Sequence, residues 1–200
     1  MPRKFLYGAS GHAKVVIDIL SKNGVKEFIL LDDNQKLKRL NGYLINYPGE
    51  INFSQDDEFL ITIGDNKTRE RLGKRIDMSF FSAIHPSVTL GAGVSVGQGS
   101  VIMAGAVINP DTRIGRHCII NTKASIDHDC CLEDFVHVAP GSTLCGGVTV
   151  GEGTLIGAGA TVVPNVKIGR WVKVAAGAVI IQDIADNKVV IGVPAREKNN

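Results

Sequence analysis

Ile102-Met-Ala-Gly-Ala-Val-Ile108-Asn-Pro-Asp-Thr-Arg-Ile114-Gly-Arg-His-Cys-Ile-Ile120 sets the rhythm that decides the fold: an aliphatic residue returns every six positions. The series runs unbroken from Ile84 to Ile180, and every sixth residue is Ile, Leu or Val. Four places after each anchor stands a second inward position, usually small: Ser100, Ala106, Thr112, Cys118, Ala124 and Cys130 are examples. The small residue and the next anchor lie two apart, so in an extended strand they point the same way. The residues after each anchor must turn, and they are rich in Gly and Pro, including Gly91, Gly97, Gly115, Pro110 and Pro164. A strand, a bend and a strand repeated without drift predict a parallel β-helix.

Outside this region the chain has ordinary composition. Two hundred residues suit one large domain or two small ones. The expected division is 1–82, an α/β unit, and 83–200, the β-helix with a C-terminal tail. A formal net charge of +2 and the lack of a basic run give no reason to invoke nucleic acid or a membrane surface. No apolar stretch is long enough to span a bilayer and no signal region opens the chain, so a soluble, cytoplasmic protein is expected. Cys118, Cys130, Cys131 and Cys145 contain no C-x-x-C spacing and read as reduced packing residues.

The N-terminal unit reads as strands Phe5–Tyr7, Phe28–Leu31 and Phe59–Ile63, a helix with Val15, Val16, Ile19 and Leu20 on one face, and a basic helix from Lys67 to Lys74. Ser10 is the expected cap of the first helix. Alternation of strand and helix predicts a small Rossmann-like parallel sheet, whose ligands bind beyond the strand carboxyl ends. Gly8, Ser10, Gly11 and His12 follow the first strand, Asp32 and Asp33 the second, Gly64 and Asn66 the third. The glycine spacing is G-x-x-G rather than G-x-G-x-x-G, which favours a nucleotide in general over a nicotinamide dinucleotide.

One stretch of the repeat trades glycine for ionisable groups: Asn121 through Asp127-His128-Asp129 to His137. Proton-transfer chemistry needs a base whose pKa lies near the working pH. His128 in a turn, beside a carboxylate, suits the base, with either Asp129 or Asp127 as its partner. Gly146 follows eighteen residues on, three repeats later. His117 and His85 read as structural.

These motifs together resemble the PglD/NeuD-type sugar O- and N-acyltransferases of the hexapeptide-repeat superfamily: Gly-Ala-Ser-Gly-His, Asp-Asp, Ile-Gly-Asp-Asn and a terminal Gly-Val-Pro-Ala. The resemblance implies a left-handed β-helix of eighteen residues per coil and a homotrimer with active sites between subunits. It implies a UDP-amino sugar held by Gly8, Ser10, Gly11, His12, Asp32, Asp33, Gly64, Asn66, Asn121 and Asp127. It implies acetyl-CoA against His137, Gly146, Ala158, Ala176, Val193, Pro194 and Arg196, catalysis by His128 and Asp129, and no metal. The family pattern has His-Glu where this chain has His128-Asp129. The implied activity is N-acetylation of the 4-amino group of a UDP-4-amino-4,6-dideoxy sugar. Rival readings are O-acetylation of a sialic acid, a zinc hydratase of the carbonic-anhydrase type using His117, His128 and His137, and a nucleotide-sugar binder without catalysis.

Overall fold

The computed structural model describes residues 2–198. The N-terminal unit is a six-stranded sheet made of β1 (Lys4–Tyr7), β2 (Ile29–Leu31), β3 (Arg39–Leu40), β4 (Tyr43–Asn46), β5 (Glu58–Ile61) and β6 (Ser79–Phe80). Its order is β3-β4-β2-β1-β5-β6, parallel throughout except for the β3–β4 hairpin. Two helices accompany it, α1 (Gly11–Lys22) and α2 (Asn66–Arg75). The sequence reading missed the hairpin and β6.

Two expectations about α1 need correction. Ser10 is the N-cap residue, yet its side chain makes no capping bond. Val15 is 39% exposed, and the buried set is Ala13, Val16, Ile17, Ile19 and Leu20. The reason is that α1 has two partners, which shifts the apolar stripe. It packs on Leu6, Leu30 and Leu60 of the sheet and on Ala83, Val101, Met103 and Ile119 of the repeat region.

From Ala83 onward the chain forms a left-handed β-helix with three flat parallel sheets. The first face runs from Ala83–Ile84 through Val101–Ile102, Ile119–Ile120, His137–Val138, Leu155–Ile156 and Lys173–Val174 to Val189–Ile191. The second runs from Thr89–Leu90 to Val179–Ile180, and the third from Ser95–Val96 to Lys167–Ile168. Neighbouring rungs pair residues eighteen apart, as in Val101↔Ile119↔His137↔Leu155. The anchors from Ile102 to Ile180 are buried, but the lowest coil is open and Leu90 is 43% exposed. At the far end the chain reverses, and Val190 and Ile191 pair antiparallel with Glu197 and Arg196.

The small inward slots carry a second regularity. Ser100, Thr112, Ser142 and Thr154 donate their hydroxyls to the carbonyls of Gly115, Asp127, Gly157 and Gly169, fifteen residues on. Cys118 and Cys130 do the same with their thiols, to Glu133 and Cys145. A buried hydroxyl needs such a partner. The cysteines are therefore weak hydrogen-bond donors as well as packing residues, and burial pushes the Cys118 thiol up to about 12.

The two regions meet at α2. His117 and Phe135, stacked rings 5.1 Å apart on successive coils, face this helix, and Phe80 meets His117 edge-on at 4.5 Å. Gly73 is the helix residue that touches them: a methyl group there would lie 3.1 Å from the Phe135 ring and 3.3 Å from His117 Nε2. Glycine within a helix costs about 1 kcal/mol relative to alanine, and here the close approach accounts for it. Among the described residues no helix is long and apolar enough to cross a membrane. Gly73→Leu should overpack this contact and lower stability by about 2 kcal/mol, read as a lower thermal unfolding midpoint; an unchanged midpoint would show the junction to be loose.

Candidate active site

The corner between the second and third faces carries Asp127-His128-Asp129. Asp129 adopts a left-handed backbone (φ 57), a conformation aspartate tolerates. Its Oδ2 lies 2.7 Å from His128 Nδ1. An ionised carboxylate can only accept, so Nδ1 carries the proton and Nε2 is left as the basic nitrogen. Asp127 instead spends Oδ1 on the His128 amide and on Asn109 Nδ2, both at 2.8 Å. The geometry therefore makes Asp129 the partner of the ring and Asp127 a brace for the turn. The hydrogen bond to Asp129 and the field of Asp127 raise the His128 pKa above its ordinary value.

Gly146 lies one coil above, where the repeat puts it. A methyl group at this position would sit 2.7 Å from His128 Cε1 and 2.8 Å from Nε2, so glycine is what allows the ring to lie over the turn. At the neighbouring corner, between the third and first faces, the corresponding amides are taken: those of Arg116, Glu152 and Arg170 donate to Asp134, Glu133 and Asp186. The Gly146 amide has no acceptor among the described residues. An exposed imidazole with one basic nitrogen beside an open amide can take a proton and steady an oxyanion.

His137, half a coil from His128, stands on the first face under the N-terminal unit. Asn121 Oδ1 accepts from the Thr122 amide at 2.8 Å, so its Nδ2 is the group 3.2 Å from His137 Nε2. Nε2 must then accept, which places the proton on Nδ1. Burial, with the charge of Arg69, lowers His137 to about 3 and His12 to about 4. Both are neutral rings, and His12 Nε2 is buried without a partner among the described residues. His12, Asn121, His137 and Gly64 thus form a second cluster, which a single protomer does not bring to His128.

At the carboxyl ends of the sheet, Asp32 accepts the amides of Ala9 and Asn34, each at 2.8 Å, and so braces the Gly8–Ser10 turn that precedes Gly11. Asp33 accepts the Tyr7 hydroxyl at 2.6 Å. Asn66 turns its amide toward the β-helix, donating to the Gly153 carbonyl at 3.0 Å. Ala158 and Ala176 are exposed, one above the other, at the corner between the first and second faces; Val193, Pro194 and Arg196 are exposed at the far end.

Sequence reasoning missed two features. Arg69, in the basic helix α2, is 1% exposed. A cavity of about 560 Å³ lies between Gly64–Lys67 and the β-helix, lined also by His137, Leu155, Trp171, Lys173 and Val189. Lys67 sits over the Trp171 ring, 3.0 Å from its centre. An isolated basic residue in a helix gives no signal of burial, and a lone tryptophan in a turn does not by itself mark a cavity. His117, by contrast, is buried between Phe80 and Phe135, so His117, His128 and His137 do not converge within one protomer.

Comparison with known proteins agrees with this architecture. Residues 5–76 match the PglD N-terminal domain, and residues 147–182 match the bacterial transferase hexapeptide (six repeats). PerB from Caulobacter crescentus, solved with CoA and GDP-perosamine, is 37% identical, with 100% of this chain and 98% of that chain covered and a TM-score of 0.91. The acetyltransferase domain of PglB from Neisseria gonorrhoeae FA1090, solved with acetyl coenzyme A, is 33% identical, covering 99% and 100%, with a TM-score of 0.92. A UDP-N-acetylbacillosamine N-acetyltransferase from Bacillus subtilis (strain 168) is 39% identical over 110 residues, 50% of this chain and 50% of that protein. The chain thus spans about half the length of that curated relative. By full-length similarity as well as by its two matched regions, the chain belongs to the PglD/NeuD-type sugar acyltransferases of the hexapeptide-repeat, left-handed β-helix superfamily.

Proposed function

We propose that this protein transfers the acetyl group of acetyl-CoA to the 4-amino group of a UDP-4-amino-4,6-dideoxy sugar, as a homotrimer. The observation that carries the reading is His128, held through Nδ1 by Asp129 and stacked on a glycine whose amide is open. In this scheme residues 1–82 hold the nucleotide sugar and 83–200 hold acetyl-CoA. His128 Nε2 takes a proton from the amine as its nitrogen bonds to the thioester carbon. The Gly146 amide donates to the carbonyl oxygen as negative charge gathers there. The carbon–sulfur bond then breaks, and the imidazolium returns its proton to the departing thiolate.

Packing of protomers side by side would bring the His128 corner of one to the His12–Asn121–His137 cluster of the next. That arrangement gives each cluster the partner it lacks within a single protomer. The full-length likeness to a perosamine N-acetyltransferase favours an amine over a hydroxyl acceptor. The likeness to PerB, solved with GDP-perosamine, favours a guanosine diphosphate sugar as the second reading. Side-by-side thiol-release assays with UDP- and GDP-linked 4-amino sugars decide between the nucleotides. Turnover of neither, with turnover of sialic acid, would overturn the amine reading.

Four outcomes are expected. His128→Ala should lower kcat about 10²–10⁴-fold, the usual worth of a general base, in a thiol-release assay; near-normal turnover removes His128 from the chemistry. Because the His128 pKa is raised, the neutral base form appears only as pH climbs through a value above 6.5, so kcat/KM should rise there. Asp129→Asn removes the main cause of the shift and should move that acid limb to lower pH; an unmoved limb would assign it to another group. Gly146→Ala puts a methyl group against the ring and should lower kcat more than it raises KM.

A further inference from the structure

Arg69 is the largest fully buried side chain that carries a charge, and no carboxylate lies in its hydrogen-bond shell. A buried charge is costly unless every donor is used. Nε donates to the His117 carbonyl at 2.8 Å, and Nη2 to the Phe135 carbonyl and Asn66 Oδ1, both at 2.9 Å. Nη1 reaches the carbonyls of Ile63 and Gly64, each at 3.1 Å. One guanidinium therefore holds two successive coils of the β-helix and the segment that follows β5.

Asn66, three residues earlier and on the same side of α2, extends the grip. Arg69 fixes its Oδ1, so its Nδ2 faces outward to Gly153 at 3.0 Å. His117, Phe135 and Gly153 are eighteen apart, and each has a positive φ (54, 61 and 66). Glycine adopts that conformation freely; histidine and, above all, phenylalanine do so at a cost. At each of these corners the carbonyl makes no coil-to-coil bond among the described residues, which leaves it to the side chains from α2. Apolar packing alone would join the two regions without burying a charge. What the charge adds is direction: it fixes where the Ile63 and Gly64 carbonyls point, on the lip where such sheets receive ligands.

We propose that Arg69, acting with Asn66, is a positioning residue that locks the 63–66 lip to the β-helix and so sets where the nucleotide sugar lies relative to His137. The proposal rests on the functional reading above. It is tested by binding and kinetics together, with UDP and GDP as calorimetric probes that need no acetyl transfer. Arg69→Lys keeps the charge but loses the fork, and Asn66→Ala removes the contact to Gly153 together with one of the two acceptors of Arg69 Nη2. In folded trimers well below their melting temperature, both variants should bind the wild-type nucleotide at least tenfold more weakly. KM for acetyl-CoA should stay within about twofold, and Arg69→Lys should show the larger effect. Unchanged nucleotide affinity in folded Asn66→Ala and Arg69→Lys overturns the proposal, as does an equal loss for both substrates, which marks a purely structural joint. Should Arg69→Lys not fold, the Asn66→Ala result alone decides. If wild-type protein bound neither nucleotide, the functional reading would fail first and the proposal with it. Nucleotide binding without thiol release would strike only the chemistry.

Discussion

The rest of the molecule depends on a repeated backbone hydrogen bond. Ala83 donates to Ser100, Thr89 to Ala106, Val101 to Cys118 and Met103 to Ile120, each reaching a carbonyl seventeen residues on. This offset locks the eighteen-residue coil, and with it the height and direction of every outward side chain. Because each bond is one of a long parallel ladder, a single side chain cannot shift register without breaking its neighbours. The rigidity that follows is what a site assembled from distant residues needs.

The histidines show how one residue type is given different work by its surroundings. His128 is exposed, tied to a carboxylate and raised in pKa; His12 and His137 are half-buried near Arg69 and lowered. His117 is lowered to about 4 as well, by burial first and then by Arg116 and Arg69, and serves as a packing ring. Only the first is fit to exchange a proton near neutral pH. The neutral rings are fit to hold a shape, and the bond from Asn121 to His137 shows one doing so.

The β-helix was legible because a period of six carries geometry, and the family resemblance, which implies eighteen residues per coil, put Gly146 above His128. The choice between Asp127 and Asp129 could not be read, since it turns on the left-handed backbone at Asp129. The β3–β4 hairpin did carry a signal, the Asn41-Gly42 turn with both residues at positive φ, but β3 is only two residues long and was passed over. The buried face of α1 was hidden for another reason: a helix buried on two sides does not show a single stripe, so Val15 looked like core. Arg69 was the least legible of all. In sequence it belongs to a solvated basic helix, and only the carbonyls turned out from His117 and Phe135 reveal its role.

The reversal at the end of the β-helix has a consequence of its own. A stack of parallel rungs leaves its last edge able to recruit another strand, from the same chain or a stranger. Here Val190 and Ile191 are covered by a strand running the opposite way, and the Lys198 amide closes onto Val189. An antiparallel cover alternates its bonds differently from a parallel one, so a further turn of the same spiral finds no matching row. The tail therefore covers the last edge of the first face, the row on which a further parallel strand would otherwise pair.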